Sequence, residues 1–143
     1  MLRLSALDVE DLAIISAQMQ DAVLLAGDMT YDPKRKKFAV LANRFAWDDP
    51  ATPQRRRTGL HFDRVLSVKT LNMSHLEKDE VLSLLSVTFA ELDAPSGEVL
   101  LAFSEGATVR LSVECLECQM ADLGPAWAAQ GVPSHPLDEE DVP

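Results

Sequence analysis

Residues 82–124 read LSLLSVTFAELDAPSGEVLLAFSEGATVRLSVECLECQMADLG, and the change of apolar spacing inside this stretch sets the expected fold. Val99, Leu101 and Phe103 share one side of an extended chain, and Val109, Leu111 and Val113 repeat the pattern after Ser104-Glu105-Gly106-Ala107. Period-two spacing on both sides of a glycine-containing break predicts a hairpin with one buried face. Six such side chains, fully buried, contribute on the order of 9 to 18 kcal/mol of gross transfer free energy, so much of the core is expected here. Leu85, Val87 and Phe89 alternate with polar or small residues and lead through Asp93-Ala94-Pro95-Ser96-Gly97 into the hairpin, which predicts a third strand. Leu82 and Leu84 fall on the opposite phase, as a bulge or a preceding helical turn would require.

From Val113 onward, Val113, Leu116, Met120 and Leu123 recur at three and four residues. Ser112 stands where a cap is needed, Glu114 in the first turn and Gly124-Pro125 at the stop, so an amphipathic closing helix is predicted.

Outward from this stretch, residues 8–24 predict a helix capped by Asp8, with Leu12, Ile15, Met19, Ala22 and Val23 on one face. Met29 to Tyr31 predicts a short strand, turned by Asp32-Pro33 into the run Phe38 to Trp47. In that run Phe38 and Val40 take one face while Leu41, Phe45 and Trp47 take the other, so both faces are covered or a bulge resets the phase. Asp48 to Pro53 reads as a loop. Leu60, Phe62, Leu66 and Val68 hold one phase across Asp63-Arg64, predicting one long bent strand or two strands joined by a very tight turn. Residues 72–80 are polar, and Ser74 with Glu77 has capping-box spacing.

The expected fold class is α+β: an N-terminal helix, an antiparallel meander curled into a pleckstrin-homology-like split barrel, and a closing C-terminal helix. An open antiparallel sheet with both helices on one face is the alternative. One domain is expected over residues 1–127, followed by an acidic, disordered tail, 128–143, that contains Asp138-Glu139-Glu140-Asp141.

The chain has 143 residues, 47% apolar and 25% charged, the composition of an ordinary soluble domain. It shows no signal-peptide pattern and no apolar run of about 18 residues, so a cytoplasmic protein not integral to a membrane is expected. The net charge of −10 is unevenly spread. Residues 33–70 hold ten Lys or Arg against three Asp, +7, while the rest has three basic and twenty acidic residues, −17. Lys34, Arg35, Lys36, Lys37, Arg44, Arg55, Arg56 and Arg57 are therefore the candidate ligand-binding residues. If 36–47 and 55–62 are neighbouring antiparallel strands, the lysine and arginine clusters lie at opposite ends, on the order of 25 Å apart, and Arg44 approaches the arginines. That disfavours one phosphate pocket built from all of them. The ordinary alternative for Lys34 to Lys37 is a solvated turn that guards a sheet edge. The acidic domain and the lack of aromatics between the charges weigh against nucleic acid.

Cys115 and Cys118 form a C-x-x-C, but Glu114 and Glu117 flank them and no histidine lies close in sequence, so a zinc site lacks two ligands. His61-Phe62-Asp63 sets an imidazole and a carboxylate on one side of a strand. No phosphate-cradling loop, nucleophile elbow or metalloprotease motif occurs, and no cofactor is expected. The expected function is thus a non-catalytic binding or scaffolding domain with a protein or small anionic partner at the basic segment. A small enzyme or redox protein using Cys115 and Cys118 or His61 is the alternative, and self-association is a third possibility.

Two stretches, Asp28 to Pro33 with Phe38 to Trp47, and Phe103 to Cys118 with Asp122 to Trp127, together resemble a family of small bacterial proteins catalogued as a domain of unknown function, family 2948. The resemblance implies a one-domain bacterial cytoplasmic protein and brings no catalytic residue, ligand or cofactor with it.

Overall fold

The computed structural model describes residues 2–46 and 54–124 and the backbone of 127–128. In chain order the elements are β1 (Arg3–Ala6), α1 (Val9–Met19), β2 (Ala22–Leu25), β3 (Met29–Asp32), β4 (Lys37–Phe45), β5 (Gln54–Phe62), β6 (Val65–Leu71), β7 (Val81–Asp93), β8 (Ser96–Phe103), β9 (Thr108–Val113), β10 (Cys118–Asp122) and β11 (Trp127–Ala128). All pairings are antiparallel. The strands follow the order β1-β10-β5-β4-β2-β7-β8-β9-β6, with β3 beside β4 and β11 beside β5. The expected loop 48–53 and most of the expected tail 128–143 lie outside the described residues.

The hairpin of the opening stretch is present: β8 pairs with β9 from Gly97↔Val113 to Ala102↔Thr108. Its turn needs left-handed backbone at Gly106, φ 77°, where glycine carries no Cβ penalty, and also at Glu105, φ 60°. Before it, β7 changes register against β8 between Leu84 and Ser86. This bulge lets Leu82, Leu84 and Val87 all face the core, and it turns Leu85, expected inside, out to 47% exposure.

The expected closing helix is absent, and with it the split-barrel class: the hydrogen-bonded sheet is open, ending at β1 and β6, and α1 is the one α-helix among the described residues. Residues 118–122 form a strand between β1 and β5 instead. Leu116, Cys118, Met120 and Asp122 are buried while Leu123 is 56% exposed, so the true period is two. A cysteine and an aspartate at inward positions disguise that alternation, and two neighbouring strands offering hydrogen bonds on both edges override local helical spacing.

α1 begins as expected, with Asp8 Oδ1 accepting the Asp11 N–H at 2.9 Å, and it buries Leu12, Ile15 and Met19. It stops at Met19, however, and Asp21, at φ 66°, turns the chain into β2. Ala22, Val23 and Leu24 are all buried, because β2 runs between β4 and β7 with both faces covered, and a continuous apolar run of this kind cannot be told from helix by period. The helix packs against β7 and β1, and Ser16 Oγ accepts the Val87 N–H at 3.0 Å next to the bulge.

β5 passes into β6 through Asp63 and Arg64 alone, the latter at φ 60°. The two do not pair with each other: β5 pairs with β10 and β6 with β9. Because β9 leads into β10, two bent strands run side by side round one corner, stitched there by Asp63 N–H to Glu117 O (3.0 Å) and Glu114 N–H to Arg64 O (2.9 Å). The corner turns the sheet over a single apolar core that includes Phe38, Leu60, Phe62, Leu84, Leu101, Phe103, Leu111 and Met120.

Candidate functional site

The β4–β5 register sets Arg44 opposite Arg56, Asn43 opposite Arg57 and Phe45 opposite Arg55. Four arginines therefore gather at one end of this strand pair, with Lys34 to Lys37 at the other end, where β3 turns into β4. Alternation along β5 sends Arg56 to the core side with Thr58, and Arg55 and Arg57 to the outer side with Gly59 and His61.

The lysine end is matched by carboxylates. Lys36 Nζ lies 2.7 Å from Glu114, Lys37 Nζ 3.6 Å from Asp63 and Arg35 Nε 3.8 Å from Asp32, in exposed or half-exposed pairs. Asp32 Oδ1 also accepts the N–H groups of Lys34 (3.1 Å) and Arg35 (3.3 Å), which fixes the turn.

The arginine end is organised around Asp122, a residue with no part in the sequence-based candidate set. Arg44, fully buried, grips its carboxylate with two parallel hydrogen bonds, Nε to Oδ1 and Nη2 to Oδ2, each 2.9 Å. Thr58 Oγ1 donates to Oδ1 at 2.8 Å and the Leu2 N–H to Oδ2 at 2.7 Å, while Arg44 Nη1 donates to Gln18 Oε1 of α1 at 3.2 Å. Burial pushes the Asp122 carboxyl up, but the hydrogen bonds from Arg44, Leu2 and Thr58 outweigh it and hold the group well below the usual carboxylate range. Its inward phase with Leu116, Cys118 and Met120 was the available signal, hidden by the helical reading. Arg56 Nε is 3.9 Å from the same carboxylate; it is buried and makes no hydrogen bond, although the Arg56 side chain is 17% exposed. On the outer side, Arg55 donates to Asn43 O (3.1 Å) and lies over the Phe45 ring at 5.7 Å. Arg57 donates to Asn43 Oδ1 (3.3 Å) and sits 3.9 Å from Asp28, half exposed.

Cys115 and Cys118 are unpaired. Cys115 is half-buried in the corner between β9 and β10, and Cys118 is buried on β10, where desolvation and the nearby Asp63 push its thiol up to about 12. No helix among the described residues begins at this corner to stabilise a thiolate, and the cation beside Cys115 is Arg64, itself paired with Glu114 and Glu117. Among the described residues no group of three or more His, Cys, Asp or Glu is placed to hold a metal. His61 Nε2 lies 3.5 Å from Asp63 Oδ2 and lines a shallow trough of about 340 Å³ on the outer face of β4, β5, β10 and β1. Ser5, on the far side of Gln119 in the same cross-strand row, is two strand spacings from His61, roughly 9.5 Å, so the two do not form a nucleophile–base pair. Among the described residues no helix is long and apolar enough to cross a membrane.

No curated protein and no solved structure matches this chain. A family model described as "Protein of unknown function (DUF2948)" matches residues 2–135, nearly the whole of the chain. That match covers the core, the Arg44–Asp122 pair and the trough together, and the chain belongs to the DUF2948 family.

Proposed function

We propose that this domain is a non-catalytic binding module of the bacterial cytoplasm whose arginine end accepts an anionic group carried by a protein or a small molecule. Arg56 carries the proposal. Arg44 takes both oxygens of Asp122, so Arg56 is left beside an occupied carboxylate with its buried Nε unsatisfied. A buried donor without a partner is unfavourable by about 1 to 3 kcal/mol, and an anionic oxygen reaching the Arg56 guanidinium, whose side chain is 17% exposed, would remove that penalty. The lysine cluster takes the lesser part, since carboxylates already face Arg35, Lys36 and Lys37. Two free cysteines agree with a reducing compartment.

Titration with heparin at low salt tests this. Arg56→Ala weakens binding about tenfold, the effect expected of removing a charge-assisted contact, whereas Lys34→Ala with Lys36→Ala changes it less than about twofold. Equal binding by the arginine variant and the unsubstituted protein would remove the basis of the proposal. A small enzyme using His61 is the second reading, favoured by His61 lining the trough with Asp63 3.5 Å from its Nε2. It requires a turnover that His61→Ala abolishes.

A further inference from the structure

We infer that the trough across β4, β5, β10 and β1 is a binding site for a small planar anion, separate from the arginine end. The floor is the first observation. Register aligns Leu41, Gly59, Ala121 and Arg3 in one cross-strand row, and Ala39, His61 and Gln119 in the next. Small residues at Ala39, Gly59 and Ala121 leave a flat strip of backbone. Leu41, 38% exposed, and Leu123, 56% exposed, stand beside it as apolar walls.

Gly59 is the second. It sits in the interior of the nine-residue strand β5, where glycine is unfavourable by roughly 0.5–1 kcal/mol relative to alanine. Its backbone is not left-handed, and a Cβ there would meet only Leu123 Cδ1 at 3.5 Å, an ordinary contact. Gly97 is the contrast: a Cβ there would press on Ala90 O at 2.3 Å and the Phe89 ring at 2.8 Å, so packing demands glycine. Neither conformation nor packing demands it at position 59. A side chain at that point would instead fill the floor of the trough, and glycine inside a strand is characteristic of places where a ligand approaches the backbone.

Charge supplies the third. Arg3 is exposed at the end of the Gly59 row, with no ion-pair partner among the described residues. It can hold an anionic group while the His61 imidazole and the Gln119 amide offer hydrogen bonds along the opposite side. The volume, about 340 Å³, suits a molecule of one or two fused rings.

Fluorescence titration with anilinonaphthalene sulfonate, an aromatic body bearing one anionic group, tests the assignment. The folded protein binds one equivalent saturably. Gly59→Leu, which fills the floor, weakens binding more than about tenfold, and Arg3→Ala weakens it about fivefold. Arg56→Ala, on the other face of β5, leaves it unchanged, so loss of the arginine-end function and loss of this site are read separately. Thermal melting verifies that Gly59→Leu is folded; if it is not, Ala121→Leu takes its place. Absence of saturable binding, equal affinity in the floor-filled variant, or loss with Arg56→Ala would each overturn the inference.

Discussion

Asp122→Ala is the substitution through which the centre of this fold is best examined. The carboxylate is inaccessible to solvent and accepts four hydrogen bonds, two from Arg44 and one each from Thr58 and Leu2. Its removal takes the bidentate partner from the fully buried Arg44 guanidinium and leaves the Thr58 hydroxyl and the Leu2 N–H without their acceptor, with Gln18 still accepting from Arg44 Nη1. Breaking a buried ion pair from one side destabilises by about 3 to 5 kcal/mol, because the surviving charge stays buried after losing its bidentate counter-charge. With a urea dependence of about 2 kcal/mol per molar, the unfolding midpoint falls by roughly 1.5 to 2.5 M. The double variant Arg44→Met with Asp122→Leu recovers much of the loss, since the buried charge is then gone as well. The pH dependence follows from the depressed carboxyl. A group whose folded pKa lies below its unfolded value stabilises above the unfolded pKa, near 3.9, and that stabilisation is lost as pH falls through the folded pKa. Stability due to Asp122 is thus complete at neutral pH and declines only below about pH 4, and Asp122→Asn removes that part of the acid limb. A loss smaller than about 1 kcal/mol for Asp122→Ala, or an unchanged acid limb, would refute the role given to the pair.

Other outcomes follow from the same structure. With its thiol pushed up to about 12 by burial, Cys118 stays unalkylated by iodoacetamide at pH 8 in the folded protein while the half-buried Cys115 reacts; mass spectrometry shows one adduct, and two after unfolding. Gly97→Ala forces the β7–β8 hairpin apart at Ala90 O and lowers stability by about 1 to 3 kcal/mol in denaturant titration. Leu12→Ala, on the buried face of α1, lowers it by about 2 to 5 kcal/mol, whereas Ile14→Ala, half exposed on the same helix, stays within about 1 kcal/mol.

How much of this protein was legible beforehand depends on the range of the forces involved. The Asp8 cap and the hairpin around Gly106 are set by neighbours in the chain, and the sequence by itself determined them; at Asp63-Arg64 it left a bent strand and a tight turn both open, and it put Leu66 in phase with Leu60 and Phe62, whereas Val65 is buried and Leu66 is 48% exposed. It also determined the approach of Arg44 to the arginine cluster, because that followed from counting along two strands. Only the tertiary structure decided that residues 118–122 are a strand, that β2 breaks off from the first helix, and that Asp122 faces inward to become the hub of the arginine end. Each of those outcomes depends on a partner far along the chain: β1 and β5 for β10, β4 and β7 for β2, Arg44 for Asp122. Spacing records which side of an element is apolar, but the choice between helix and strand in a short buried run, and the inside place of a charged residue, are settled by hydrogen-bonding partners and counter-charges that spacing does not carry.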